Sequence, residues 1–555
     1  IARWRGRIVL KPHQVAGALR LIANLGGLLG FDVGVGKTFT GTATIASLRE
    51  IGRARRPIVI VPNTLLWKWH KDLRAALPDY RVGVVGTERY IGRNGVYSSR
   101  IDTPQERATK WRQFQAGEFD VMLVTYSVFA RNSIRAESVR AWILETPALL
   151  RMIGLDARNM LAGVKEPEPD DKPKKKRHPQ VSAAAIEKLI GPEKAKALSD
   201  AERAKVAEEI AMQREQSRDA DNAHLLAVLG ALTDKSERER AIFGEAMERW
   251  IAERLETTEE PDPGIYWEDL QCDLLVLDEA QNMKNLWPYL RGDGGKPPKY
   301  LGAIDRPSQR ALEFAIRAYL VRRKNGGSGV FLLSATPAKN SPIEYFSLLS
   351  LVDGEAWTKL GITDSGIFVT RYLKIERKRV LDTDLTQTMR EVVVGFVNIP
   401  ELRDAINRLS EFRTAEEVGL KLPKTDVYTI KVPMDEEQSQ SHRRLIALYR
   451  ENIADRSAGA RNAALGALLK LVQVSIHAEL LTPPSLKEGW TRSNWNQVRN
   501  PSSPKFERCG NEIVSKQRCG HLVFVETVAA HYWLREQLIK SGQFADADAA
   551  LGEQG

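Results

Sequence analysis

Short apolar runs recur along the chain, and each ends in small polar or acidic residues. Pro57-Ile58-Val59-Ile60-Val61 ends at Pro62, and Val121-Met122-Leu123-Val124 ends at the hydroxyl pair Thr125-Tyr126. Leu274-Leu275-Val276-Leu277 runs into Asp278-Glu279, and Phe331-Leu332-Leu333 runs into Ser334-Ala335-Thr336-Pro337. Runs that are apolar at consecutive positions read as strands buried on both faces, which is the mark of a parallel sheet. Helical stretches separate them, so the pattern predicts an α/β fold with its loops gathered at one sheet edge. A carboxylate at the C-terminal end of such a strand, here Asp278, sits where an open α/β sheet binds its ligand.

The chemistry begins at Gly34-Val35-Gly36-Lys37-Thr38. Glycines there let backbone N–H groups close around phosphate oxygens, with a helix N-terminus behind them. Lys37 is expected to reach the β/γ-phosphates and the Thr38 hydroxyl to ligate Mg²⁺. Asp278 is expected to hold the same Mg²⁺, and Glu279 to polarise the attacking water. Gln14, within Leu10-Lys11-Pro12-His13-Gln14, offers a donor and an acceptor side by side for an adenine edge. The two halves together predict an NTPase with ATP and Mg²⁺ as its ligands.

In their order these segments resemble the first motor lobe of a superfamily-two helicase, most closely the Swi/Snf-type double-stranded DNA translocases. Asp278-Glu279-Ala280-Gln281-Asn282-Met283-Lys284-Asn285 is similar to that family's D-E-A-H-x-x-K-N box, and Thr336-Pro337-Ala338-Lys339-Asn340 with Glu344 to its T-P-x-x-N-x-x-x-E segment. Pro62-x-Thr64-Leu65-Leu66-x-x-Trp69-x-x-Asp72 resembles its P-x-S-L-L-x-x-W-x-x-E helix. Leu422-Pro423-Lys424-Thr425-Asp426, Val432-Pro433-Met434 and Leu469-Lys470-Leu471-Val472 with His477 resemble the passage between lobes. The resemblance covers residues 8–134 and 264–540. It implies a P-loop RecA-like parallel sheet flanked by helices, with an inserted helical module and a truncated second RecA-like lobe. It further implies coupling of hydrolysis to movement through Gln281, Ser334 and Thr336. Contacts to nucleic-acid phosphates are implied from Pro62, Thr64, Lys68, Thr125, Tyr126 and Lys284, which would position the strand without reading bases.

Three positions depart from the family pattern. Gln281 stands where a histidine is usual, and Phe31, with Asp32 beside it, stands where an acidic residue is favoured. Third, His521-Leu522-Val523-Phe524-Val525-Glu526 and the helix after it resemble the first strand and helix of a second RecA-like lobe, and the chain stops at Gly555. The arginines that reach the γ-phosphate in the family belong to later motifs. The 555 residues alone are therefore expected to bind ATP·Mg²⁺ and duplex DNA weakly and to hydrolyse slowly. The start at Ile1 without a methionine suggests an excerpt of a longer polypeptide.

Charge and cysteine content agree with this picture. The chain carries 82 Lys+Arg against 71 Asp+Glu, a net +11, which suits a polyanionic partner or a solvated surface equally. Cys272, Cys509 and Cys519 are too few and too dispersed for a disulfide framework and suggest a reducing compartment. No apolar run is long enough to span a membrane. The expected location is cytoplasmic, on the nucleoid in a bacterium or phage, with a nucleus open for a eukaryote.

Five segments are expected: 1–134 and 264–360 as the two halves of the first lobe, 135–263 as an insertion, 361–500 as a helical inter-lobe region, and 501–555 as the start of the second lobe. Ala141 to Met160 reads as a helix, Lys165 to Pro179 as a solvated linker, and Ser199-Asp200-Ala201-Glu202 as a capping box. Phe243, Met247, Trp250, Ile251 and Leu255 form a helical stripe that reads as a packing face. The insertion offers a surface for protein partners. The function expected is an ATP-dependent motor on double-stranded DNA. Alternatives are the motor part of a restriction, antirestriction or methyltransferase assembly, or a nucleotide-regulated DNA-binding scaffold with a dormant ATPase.

Overall fold

The computed structural model describes residues 8–91, 97–163, 237–255, 262–290, 297–381, 387–421, 423–454, 458–485, 489–491, 493–515, 521 and 523–540. The linker at 165–179, the capping box at Ser199 and Cys519 lie outside them. Two compact units emerge, one of residues 1–376 and 391–421 and one of residues 377–390 and 422–555.

The first unit is built on a seven-stranded parallel sheet. Its strands are β1 (Gly27–Phe31), β2 (Pro57–Val61), β3 (Val82–Val85), β6 (Val121–Thr125), β7 (Leu274–Leu277), β8 (Val330–Ser334) and β11 (Ser410–Arg413), in the order β11-β1-β8-β7-β2-β6-β3. Two hairpins stand apart from it, β4 (Thr87–Ile91) with β5 (Tyr97–Ile101) and β9 (Leu373–Leu381) with β10 (Gln387–Phe396).

Consecutive side chains of the central strands enter two separate cores. Leu275 and Leu277, Ile58 and Ile60, and Met122 and Val124 join one cluster. Val276, Val59, Val61, Leu123 and Leu333 join the other. This is why the strands read as unbroken apolar runs rather than alternating ones. Helices Pro12–Asn24, Lys37–Glu50 and Leu66–Ala76 supply Leu21, Ile45, Leu48, Trp69 and Leu73 to the second cluster. Helices Pro104–Ala116, Gln309–Lys324 and Ile343–Val352 cover the opposite face with Trp111, Phe114, Phe314 and Leu348.

The insertion forms helices on that same face. Ala136–Glu145 and Pro147–Gly163 leave the lobe, and Glu237–Leu255 returns. Phe243, Met247 and Trp250 are buried in the first cluster, with the Trp250 ring 6.2 Å from that of Trp142. The stripe is a packing face, as its helical spacing predicts.

Two features depart from the sequence reading. The sheet takes its edge strand β11 from the stretch assigned to a helical inter-lobe region, which also holds the β9–β10 hairpin. In addition, residues 521 and 523–526 form no strand, and Phe524 is 87% exposed. An extended segment that pairs with no strand among the described residues cannot satisfy its backbone in a ladder or bury both faces. The helix predicted after it does form, at Val528–Lys540. Its Trp533 anchors the second unit's core, donating to the Trp495 carbonyl at 2.8 Å and packing against His477 and Trp490. Helices Glu436–Ala454 and Ala458–Ile476 of this unit are pinned by Gln438, whose amide donates to the Val474 carbonyl at 2.9 Å.

Where the chain returns from the insertion, Asp262 is buried and pairs with buried Arg107 at 2.7 Å. Burial pushes the Asp262 carboxyl up from its ordinary range, and the guanidinium opposes this. Removing one partner leaves an uncompensated charge in the interior. Arg107→Ala is expected to destabilise the first unit by about 3–5 kcal/mol, whereas an apolar pair at both positions costs far less. Denaturant unfolding of the single and double variants checks this; equal losses in both would mean that packing, not charge, holds the joint.

Candidate active site

Because the sheet is parallel, the loops after β1, β2, β6, β7 and β8 all open at one edge. The order β1-β8-β7 sets Ser334 between the phosphate loop and the Asp278-Glu279 pair. The loop after β1 turns through Gly34 and Gly36, at φ +82° and +100°. Gly36 then caps helix Lys37–Glu50 in the left-handed region. At φ +100° an L side chain is strained, and a Cβ on Gly36 would also lie 1.9 Å from Gln14 Nε2 and have to displace it.

Gln14 braces this loop from helix Pro12–Asn24. Its amide donates to the Val35 carbonyl at 3.3 Å, and its side-chain oxygen accepts from Lys11 N–H at 2.8 Å. Lys37 Nζ donates to the carbonyls of Phe31 at 3.0 Å and Asp32 at 3.4 Å. Burial lowers the Lys37 pKa, and the charges of Glu279, Asp278 and Asp32 work against that. Asp32 itself turns away from the loop, accepting from Ala415 N–H at 2.9 Å.

Thr38 is distinguished by what its hydroxyl leaves undone. Thr40, Thr42 and Thr44 on the same helix donate back to the carbonyls of Gly36, Thr38 and Thr40 at 3.1, 2.8 and 2.9 Å. Such back-bonding is the ordinary fate of a helical threonine. Thr38 makes no such bond and remains available to a ligand.

Asp278 is 3% exposed, and each of its oxygens accepts one hydrogen bond. Trp69 Nε1 donates to Oδ2 at 2.7 Å, and Glu279 N–H donates to Oδ1 at 3.0 Å. Burial raises the Asp278 pKa, the Trp69 bond opposes it, and Glu279 adds to it. Among the described residues no cluster of three His, Cys, Asp or Glu could cage a metal. One carboxylate and one free hydroxyl instead fit Mg²⁺, which keeps waters and shares phosphate oxygens.

Glu279 sits at φ +51°, unusual for a non-glycine residue and of a kind found at functional turns. Its carboxylate accepts from Gln281 Nε2 at 2.7 Å. Gln281 Oε1 accepts from Ser334 Oγ at 2.6 Å, and Ser334 Oγ accepts from Thr336 N–H at 3.1 Å. The three residues expected to couple hydrolysis to movement are therefore joined in one hydrogen-bonded chain that starts at Glu279.

The nucleic-acid candidates divide into two groups. Pro62, Thr64 and Lys68 lie on the loop and helix after β2, with Thr64 and Lys68 exposed; Lys68 pairs with Asp72 at 2.9 Å. Thr125, Tyr126 and Lys284 turn inward, which corrects the expectation for them. Thr125 is buried beside the Ser127 hydroxyl at 3.1 Å. The Tyr126 hydroxyl donates to the backbone carbonyls of Asp278 and Glu279. Lys284 pairs with buried Glu344 at 2.8 Å, and Glu344 also accepts from Lys339 N–H at 2.6 Å. Tyr126 and Lys284 hold the acidic loop in place. Trp69 and Tyr126 as supports of the Asp278-Glu279 pair escaped the sequence reading, although both stand in segments that it singled out.

The geometry agrees with the comparisons. Residues 13–146 match the model of the SNF2-related domain. Those residues are similar to that domain and make up about a quarter of the chain. Over 222 residues, 39% of this chain, it is 31% identical to Defense against restriction protein B of Escherichia phage P1, covering 10% of that protein. Over 125 residues, 22% of this chain, it is 32% identical to ATP-dependent helicase fft1 of Schizosaccharomyces pombe, covering 12% of it. The chain thus spans about a tenth of the length of these relatives. Among solved structures, the Sulfolobus solfataricus SWI2/SNF2 ATPase core in complex with dsDNA is similar at 14% identity, with 96% of this chain and 70% of that chain covered and a TM-score of 0.34. The phosphate loop, the Gln14 brace and the Trp69 helix all fall within the matched residues.

Gly36→Ala is expected to force Gln14 off the loop and to strain the backbone by about 1–3 kcal/mol. Nucleotide affinity should fall while the sheet stays folded. Binding of a fluorescent ATP analogue, beside a thermal melt, checks this; unchanged affinity would mean that the loop does not hold the phosphates.

Proposed function

We propose that the protein is an ATP-dependent motor acting on double-stranded DNA, hydrolysing ATP to move along DNA or to remodel DNA–protein complexes. The observation that carries this reading is the hydrogen-bonded chain Glu279–Gln281–Ser334–Thr336, which links the water-polarising carboxylate to the loop after β8. A nucleotide-binding module with no work to do has no need of that link.

In this reading Lys37 exchanges its carbonyl partners for the β/γ-phosphates, and the N–H groups of the glycine loop close around them. Thr38 and Asp278 hold Mg²⁺, which when bound offsets the negative charge of the phosphates. Glu279, held in its left-handed turn, takes a proton from the attacking water. Gln14 retains one amide N–H and one oxygen lone pair for the adenine edge after its two loop bonds. Pro62, Thr64 and Lys68 face the DNA backbone, so binding is expected to weaken steeply with salt.

A second reading has one observation in its favour. The 31% identity to a phage protein named for defence against restriction suits the motor part of an antirestriction assembly. Both readings share the same engine and differ in what it serves. The insertion helices offer a place for protein partners in either.

Lys37→Ala should abolish ATP binding or hydrolysis. Glu279→Gln should keep ATP binding and lower turnover by about 10²–10⁴-fold, the usual weight of a general base. Nucleotide binding and phosphate release, each with and without duplex DNA, separate these outcomes. Full turnover in Glu279→Gln would remove the catalytic assignment, and hydrolysis indifferent to DNA in the wild type would favour a dormant scaffold.

Replacing Ser334 and Thr336 together by alanine should lower movement along DNA by a larger factor than it lowers DNA-free hydrolysis. A triplex-displacement assay run beside an ATPase assay reads both quantities. Parallel losses would leave the two hydroxyl residues with no part in coupling.

A further inference from the structure

A buried carboxylate that must present a lone pair to a metal needs its other contacts fixed, because either oxygen can otherwise swing away. Asp278 has such fixing on both sides. One bond comes from its own neighbour, the Glu279 N–H at 3.0 Å. The other comes from a residue 209 positions away in sequence, the indole N–H of Trp69 at 2.7 Å.

Trp69 is 1% exposed on helix Leu66–Ala76. Its ring also lies against the helix that carries Lys37 and Thr38: a Cβ on Gly41 would stand 3.4 Å from Trp69 Cη2. One side chain thus touches both elements from which the metal site is assembled. An indole N–H donates and never accepts. Its bond therefore persists only while an Asp278 oxygen faces it, and that fixes which lone pairs remain for a metal.

We propose that Trp69 is the positioning residue of the metal carboxylate, setting the orientation of Asp278 relative to Thr38 for Mg²⁺. The proposal rests on the nucleotide-site reading above. Donors in this position around a metal ligand typically weigh about 10–100-fold in metal affinity. A tryptophan that merely fills space would contribute to stability and leave the metal requirement untouched.

The test is a Mg²⁺ titration of fluorescent ATP-analogue binding to the full chain. Trp69→Phe deletes the donor, and site-specific replacement by benzothienylalanine deletes it while keeping the ring's shape. Trp69→His keeps a ring N–H. The Mg²⁺ needed for half-maximal tight binding should rise about 10–100-fold in the first two, with partial recovery in Trp69→His. Nucleotide affinity without metal should not change, and in an Asp278→Asn background the Trp69 changes should add nothing further. An unaltered Mg²⁺ requirement in the benzothienylalanine protein, which avoids the packing loss of Trp69→Phe, would overturn the proposal. Wild-type binding indifferent to Mg²⁺ would instead overturn the nucleotide-site reading, so the two failures are distinguishable.

Discussion

Everything at the site depends on the parallel register of β1, β8 and β7. Both faces of these strands are apolar, so hydrophobicity alone penalises a one-residue slip only weakly. The polar residues at the strand ends supply the missing constraint. Shifting β7 inward by one position would carry Asp278 away from Trp69 Nε1, leaving a buried carboxylate with only its neighbour's N–H. Shifting β8 would part Ser334 from Gln281. The residues proposed to perform the chemistry also lock the sheet that positions them.

A frame of inward-facing polar groups surrounds the acidic loop. Glu279 holds a left-handed backbone, and its carbonyl accepts from the Tyr126 hydroxyl at 3.1 Å and the Asn282 side-chain amide at 2.9 Å. Arg310 lies over the Tyr126 ring at 5.5 Å, and burial pushes the Tyr126 hydroxyl well above its ordinary range, so it stays a donor. The Lys284–Glu344 pair ties the same loop to the turn after β8. Residue types that in an exposed loop would suit phosphate contacts are here consumed in holding a strained turn.

The central strands, the phosphate loop and the Asp278-Glu279 pair were legible in the sequence because each depends on local pattern: apolar runs, glycine spacing and a terminal carboxylate. The edge strand β11 was not. Ser410-Glu411-Phe412-Arg413 carries two charges and belongs to the sheet only because β1 is beside it, with Phe412 packing over Gly30. The segment at 521–526 failed in the opposite sense: its composition is that of a strand, but among the described residues no strand pairs with it. Lys284 and Tyr126 were placed on the wrong face for a related reason, since sequence names the residue type but not which way the loop turns it.

Gln281 shows what a departure from a family pattern means once its partners are known. The Glu279 carboxylate can only accept, so the Gln281 amide nitrogen must face it, and the Gln281 oxygen is left facing Ser334. Ser334 must then donate its one proton to Gln281, and its lone pair receives the Thr336 N–H. Every direction in the chain follows from the acceptor at its head. A neutral histidine could reproduce these directions only as one tautomer, donating to Glu279 and accepting from Ser334. An amide does not titrate, so Gln281 always brings one donor and one acceptor to the link between Glu279 and the loop after β8. The chain therefore joins the residue proposed to polarise water to the loop proposed to couple hydrolysis to movement.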